Sequence, residues 1–320
     1  MLYSPVPMHI PDGFLSVLVS VLCWAIAIPA VGYALKRVEK DLDGQRLPLM
    51  GVLAACIFAG QMLNFSVTWG TSGHLLGAAL ATILLGPWAA LVVITCVVGV
   101  QALVFQDGGL LALGANIVNM GVVGVAVSYF TYRTVQGLAK GRSWGPFAGA
   151  AASGWLSIVI ASLACALQLA LSRPSIAGLT IPAMAGIHML IGIGEAAITV
   201  GAVAFLYATR RDLVQSTGVQ TGMGKAVWVA GLSIAVLLAI VSPLASAHPD
   251  GLEWVAEQIG FLDAAQEPFY TLIPDYVFPG ISNEALATIL AGIVGALIVL
   301  GAALAVGYTR RKAQSAALNS

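Results

Sequence analysis

The chain has 320 residues, of which 59% are apolar and only 9% charged, and its mean hydropathy is +0.94, whereas soluble domains carry about a quarter charged residues. The net charge is zero. This composition excludes a soluble enzyme and a basic nucleic-acid surface, and it predicts an all-α polytopic membrane helix bundle.

In chain order, the residues "MLYSPVP" precede a polar hexapeptide, "MHIPDG", at positions 8–13. No Lys or Arg stands before residue 36, so the basic start of a cleaved signal peptide is missing and the first apolar run is expected to be a retained helix. Apolar runs near the length of about 20 residues that crosses a bilayer predict spans at 14–35, 49–66, 87–105, 110–132, 145–171, 183–208, 226–246 and 285–308. The stretch "LLGAALATILL" at 75–85 ends at Gly86-Pro87 and reads as a ninth, short span or as a half-helix turned into the next one. If it crosses, thirteen of the 14 basic residues share one face, and only Arg173 is left on the other. The positive-inside rule then predicts about nine spans in the cell membrane with the N-terminus outside.

Four cysteines, Cys23, Cys56, Cys96 and Cys165, lie inside apolar runs without C-x-x-C spacing and read as small buried side chains. After "YATRRD", the polar linker "LVQSTGVQTGMG" separates a seven-span unit, 8–208, from a two-helix unit, 226–308. The two helices enclose the longest non-helical segment, roughly 247–283, which carries Asp250, Glu253, Glu257, Asp263, Glu267 and Asp275 and no basic residue. Such a loop would concentrate cations at the outer face. A solvated loop accounts for the charge equally well.

Histidines are few, and all four, His9, His74, His188 and His248, fall on or near the outer side in this topology. Imidazole is the commonest ligand of first-row metals, and nitrogen donors in a square arrangement favour nickel or copper. A chain beginning at Met8 would offer its α-amine, the deprotonated His9 amide and the His9 ring in one plane, with His74 as a fourth donor. Singly, each histidine reads equally as a hydrogen-bonded interface residue, and Pro11-Asp12-Gly13 as a turn into a helix. Glu195, in "HMLIGIGEAAIT", is the carboxylate deep in an apolar span, two helical turns from His188; such groups are costly and usually functional. It reads as support for a metal site, a structural hydrogen bond or a proton relay. Asn116 and Asn119, three residues apart, form a polar stripe suited to bonding between helices. Small pairs such as Gly192-x-x-x-Ala196 permit close packing, within the chain or onto a partner.

"MHIPDGFLS", "QMLNFSVTWGTSGHLLG", "LGANIVNMG" and "IHMLIGIGEAAIT" together resemble the CbiM/NikM family, the substrate-binding membrane components of energy-coupling-factor transporters that import cobalt or nickel. The resemblance covers residues 8 to 208, while "AHPDGLEW" and the last two helices resemble the PDGLE domain and the small CbiN/NikN partner, fused here in one chain. It implies a metal site built from Met8, His9 and His74, around which Asn116, Asn119, His188 and Glu195 are candidate supports. With seven residues ahead of Met8, that donor set requires translation to start at Met8 or the extension to be removed, and a start at Met8 is the expectation.

No G-x-x-x-x-G-K-[ST] phosphate loop occurs, so no ATPase site of that kind is expected. The resemblance supplies a separate transmembrane coupling subunit and two cytoplasmic ATPase subunits. The expected function is capture of divalent cobalt or nickel for import, with no enzyme activity and no cofactor beyond the transported ion. Nitrogen ligands bind both metals, so the choice stays open. A proton-coupled secondary transporter relaying through Glu195 is the alternative, although inverted repeats and paired broken helices are not evident. An intramembrane hydrolase lacks H-E-x-x-H or a nucleophile motif.

Overall fold

The computed structural model describes residues 9–41, 47–68, 70–214 and 225–318. Met8 with residues 1–7, Arg46 and residues 215–224 of the linker lie outside the described residues. Among the described residues, twelve α-helices and one small hairpin follow in order: α1 (Val17–Asp41), α2 (Leu47–Gln61), β1 (Phe65–Ser66), β2 (Ser72–Gly73), α3 (Ala78–Leu85), α4 (Pro87–Val100), α5 (Leu113–Asn116), α6 (Gly124–Ala139), α7 (Gly145–Ser172), α8 (Ala177–Thr209), α9 (Arg211–Val214), α10 (Lys225–Val241), α11 (Gly251–Ile259) and α12 (Glu284–Leu318).

The molecule is an all-α membrane bundle, as its composition requires. Among the described residues seven stretches are long and apolar enough to cross a bilayer: Val17–Val38, Pro87–Phe105, Leu113–Ala139, Gly145–Ser172, Pro174–Thr209, Val227–Leu244 and Glu284–Arg310. The two other predicted spans are the shorter helices α2 and α3, of 15 and 8 residues. At 1.5 Å per residue α3 extends only about 12 Å. It is short because the chain after α2 leaves helical geometry for the β1–β2 hairpin, which pairs Phe65 with Gly73 and Ser66 with Ser72. Gly86, at φ 80°, then reverses the chain, in a conformation that side chains resist. Pro87 opens α4, where its missing N–H costs nothing.

Two departures from α-geometry lie near the hairpin end of the bundle. Residues 101–105 and 117–123 form wider π-helical turns, continuing α4 and linking α5 to α6. Such turns redirect side chains and are frequent at functional sites. The loop between them carries Asp107.

Small residues set the packing. Gly231 on α10 faces Val52 of α2, while Gly295 and Gly307 on α12 face Phe58 and Leu47. The last two long helices therefore grip α2 directly, and the Cys56 thiol donates to the Gly231 carbonyl at 3.3 Å. In apolar surroundings, where no water drives association, close approach of this kind is what holds helices together. Gly192 and Ala196 of α8 are used inside the chain, against Trp155 and Gly154 of α7.

Candidate metal centre

The turn at Pro11–Gly13 is fastened from every side. Asn116 accepts from the Ile10 amide at 3.1 Å and donates to the Ile10 carbonyl at 3.2 Å. Asp12 accepts from the Ala112 amide at 2.9 Å, and its carbonyl accepts from the Gln266 amide at 2.8 Å. Arg173, the basic residue that topology leaves apart from the others, donates to the carbonyls of Gly13 at 2.9 Å and Phe14 at 3.3 Å. Irregular backbone at this depth must find such partners, since unpaired polar groups are expensive away from water.

This clamp fixes His9, which is only 4% exposed. Its amide nitrogen and its ring Nδ1 donate to the same oxygen, Asp107 Oδ1, at 3.1 and 2.8 Å. Both N–H groups of this one residue thus point at a single carboxylate oxygen. The remaining ring nitrogen, Nε2, is buried with no hydrogen-bond partner. Burial alone would lower the His9 pKa, but the Asp107 carboxylate, through its charge and hydrogen bond and helped by Asp250, more than offsets it, so the net shift is upward. The second oxygen of Asp107 accepts from the Tyr276 hydroxyl at 2.5 Å. Burial, then Asp107, pushes that phenol well above its ordinary pKa, which keeps it a donor.

His74 follows β2, with Nδ1 at 3.0 Å from the Leu75 carbonyl and the ring centroid 5.6 Å from that of His9. Its segment is held from α8. Glu195, fully buried, accepts from the Leu76 amide at 2.6 Å and the Gly77 amide at 3.1 Å. Gly77 sits at φ +78°, and Ile57 packs where a Cβ would lie, so the turn admits only glycine. Gln61 donates to the Leu76 carbonyl at 3.0 Å.

His9, His74, His188, Asn116, Asn119 and Asp250 line one cavity of about 80 Å³, room for an ion and a few waters at about 10–15 Å³ each. His188 donates through Nδ1 to the Met184 carbonyl of its own helix at 2.8 Å. Asn119 bridges to Gln168 of α7 by two bonds of 2.9 and 2.7 Å; Asn116 instead serves the N-terminal turn. His248 is exposed and does not line the cavity.

The segment after α10 closes the cavity. The Ser72 amide and hydroxyl donate to the carbonyls of Pro249 and His248, each at 2.8 Å, and the Asn64 carbonyl accepts from the Ser246 amide at 2.7 Å. Asp250, 4% exposed, caps α11 by accepting from the Glu253 amide at 2.8 Å. Its other oxygen stands 4.0 Å from His74 Nε2. Burial raises the pKa of Asp250, and burial followed by the Asp250 charge raises that of Glu253.

The structure thus brings the two sequence-predicted rings together. Among the described residues, no group of three or more His, Cys, Asp or Glu is placed to hold a metal ion. Sequence reasoning missed Asp107, Tyr276 and the place of Asp250. The available signals were an aspartate ending an apolar span in "FQDGG" and the aspartate inside "PDGLE" itself.

The family model for the cobalt uptake substrate-specific transmembrane region, CbiM, matches residues 9–213. This chain belongs to the CbiM family. A PDGLE domain model matches residues 225–312. A provisionally named fused nickel transport protein NikMN of Archaeoglobus fulgidus is 38% identical over 95% of this chain and 98% of its own length. The fused nickel transport protein NikMN of Rhodobacter capsulatus is 32% identical over 95% and 99%. A crystal structure of a truncated transition metal transporter is 35% identical and superposes with a TM-score of 0.57, covering 63% of this chain and 99% of the other. This CbiM-family chain is accordingly a multi-pass cobalt or nickel transport protein.

Proposed function

We propose that this chain is the substrate-capture subunit of an energy-coupling-factor importer for divalent nickel or cobalt, working with a separate transmembrane coupling subunit and two ATPase subunits. The observation that carries the reading is the approach of the His9 and His74 rings, with centroids 5.6 Å apart, on the wall of one buried cavity that His188 and Asp250 also line. A borderline metal ion suits such nitrogen donors. With an N-terminal Met8 amine the set becomes four nitrogens; a peptide nitrogen at Met8 would be a far poorer donor. Relatives that span nearly the whole chain carry nickel transport in their names, which makes nickel the first ion to test.

Residues 8–208 form the metal-binding unit in this reading, and 226–308 the accessory unit that covers it. The end of the bundle that gathers most basic residues faces the cytoplasm, and His9 opens outward. Glu195 acts as a brace, because both its oxygens are engaged by backbone amides; this leaves the proton-relay alternative with less support.

Calorimetric titration of the purified protein with nickel and cobalt tests the assignment. His9→Ala and His74→Ala should each abolish tight binding while thermal unfolding in detergent is preserved; unchanged affinity in both variants would refute it. A form beginning at Met8 should bind more tightly than one shown by mass spectrometry to retain residues 1–7. Equal affinity, with the same absorption spectrum, would remove the amine from the donor set.

A further inference from the structure

Far from the metal cavity, where α6 ends, α7 begins and α8 ends, the chain builds another cavity. Along α8, from His188 in the metal cavity to Tyr207, the rise is about 28 Å at 1.5 Å per residue, close to the hydrocarbon thickness of about 30 Å. Tyr132, Gln136, Arg142, Ser143, Tyr207 and Arg211 line this cavity of about 290 Å³. Gly145 and Gly149 of α7 face Gln136 and Tyr132 of α6, so the two helices meet closely on one side of it. The turn between them places Lys140 and Gly141 at φ 48° and 80°, and the Arg142 amide donates to the Ala139 carbonyl at 3.0 Å. Across from it, the Arg211 guanidinium lies over the Tyr207 ring, 4.3 Å from its centroid. No acidic residue lines the cavity. Asp212, next in sequence, is already held by Arg210 at 2.9 and 2.7 Å, and among the described residues neither Arg142 nor Arg211 makes an ion pair. The sequence holds no Asp or Glu between Asp107 and Glu195, nor between Asp212 and Asp250, so the positive charge is uncompensated. On the same wall the Gln136 amide nitrogen is buried with no hydrogen-bond partner among the described residues, a donor left for a ligand.

We propose that this cavity binds the phosphate headgroup of an anionic phospholipid, with Arg142 and Arg211 on the phosphate oxygens and Ser143 and Gln136 as further donors. Guanidinium groups match phosphate geometry with paired, charge-assisted hydrogen bonds, and basic pockets between membrane helices are suited to anionic headgroups. The surroundings put the cavity at headgroup depth. Tyr132, Tyr207 and the exposed Trp144 are residues of the type that settles at the membrane–water interface. Leu138 and Phe205, 71% and 53% exposed, are apolar surface that acyl chains cover at the same level. A lipid uses both kinds of surface, whereas free phosphate uses only the arginines. The headgroup would tie the ends of α6, α7 and α8 together, and this inference stands apart from the assignment of the metal ligands.

The probe is phosphatidylglycerol, titrated into nanodiscs of phosphatidylcholine that hold the full-length protein, with the bound lipid counted by native mass spectrometry. Arg142→Gln combined with Arg211→Gln should lower phosphatidylglycerol affinity at least tenfold, because charge-assisted bonds are lost. Thermal unfolding in pure phosphatidylcholine and nickel affinity should stay unchanged. Arg133→Gln combined with Lys140→Gln removes the same charge from the same end of the bundle but outside this cavity, and should leave the lipid bound. Equal losses in the two pairs would reduce the effect to diffuse attraction by a basic surface and overturn the proposal, as would undiminished binding in the first pair. Inorganic phosphate should fail to displace the lipid at equal concentration; displacement there would make the cavity a site for free phosphate and overturn the lipid assignment. If the Arg142→Gln, Arg211→Gln protein does not fold, the single variants replace it: a several-fold loss in either supports the proposal, and unchanged affinity in both overturns it.

Discussion

The segments that present His9 and His74 are held in opposite ways. At His9 the nearby carboxylate, Asp107, touches the side chain and the amide of the histidine itself, and the C-terminal unit acts one step removed, through Tyr276. At His74 the carboxylate within the metal-binding unit, Glu195, takes its hydrogen bonds from the backbone of Leu76 and Gly77, two and three residues on, and the C-terminal unit places Asp250 at the ring. The first arrangement engages the histidine itself; the second sets a loop. The difference teaches that a buried carboxylate beside a metal site has two separable tasks, and that variants at the two positions should fail differently.

The largest effect is expected at Glu195. Its replacement by Ala leaves two buried amides unpaired, at about 1–3 kcal/mol each, so both the unfolding temperature and nickel affinity should fall, the latter by more than about 100-fold. A variant that keeps wild-type stability but loses binding would turn Glu195 from a brace into a ligand or relay. Asp107→Asn comes next. It should lower affinity by about 10–100-fold, because a buried carboxylate charge beside the bound cation is lost, with little change in thermal unfolding, because the Pro11–Gly13 turn keeps its other clamps. Equal losses of stability at the two positions would erase the distinction between contacting a histidine and bracing its loop.

Asp250→Asn should act more weakly on equilibrium affinity, by about threefold, and more strongly on the initial rate of nickel uptake, since its carboxylate lies at the lid of the cavity. Identical uptake by the variant and the parent at matched expression would make Asp250 a helix cap alone. The smallest effect is a pH dependence of the lid. Burial and the charge of Asp250 raise the Glu253 pKa in the folded form, so the folded form holds the Glu253 proton more tightly than the unfolded one. Its contribution is fully present below the ordinary carboxylate range and is lost as pH rises toward the raised value, about 9. Hydrogen exchange in residues 251–259 should therefore quicken between about pH 5 and that value by more than the intrinsic chemical rate, and Glu253→Gln should remove the excess.

The helices were legible because apolar length leaves little choice in a membrane, and His9 and His74 because polar donors are scarce in such a sequence. Asp107 was not. The His9 amide and ring meet it across 98 positions of sequence, and Tyr276 across 169; no local spacing encodes pairs so distant. The acidic loop read correctly as charge but not as a lid, since composition cannot tell a solvated aspartate from one buried at a helix N-terminus. The two π-helical turns left no periodicity to read, because their runs are uniformly apolar apart from single residues such as Gln101 and Asn119.

The lid segment is tethered at both ends, by α10 and α12, and both of those helices are anchored on α2 through the glycines that receive Val52, Phe58 and Leu47. Docking of Asp250 and Tyr276 is therefore an intramolecular event, governed by an effective concentration that short tethers hold near the millimolar range. Contacts too weak to recruit a free protein suffice here to seat the segment over the cavity. The same tether makes the seating of this segment independent of how much protein the membrane contains.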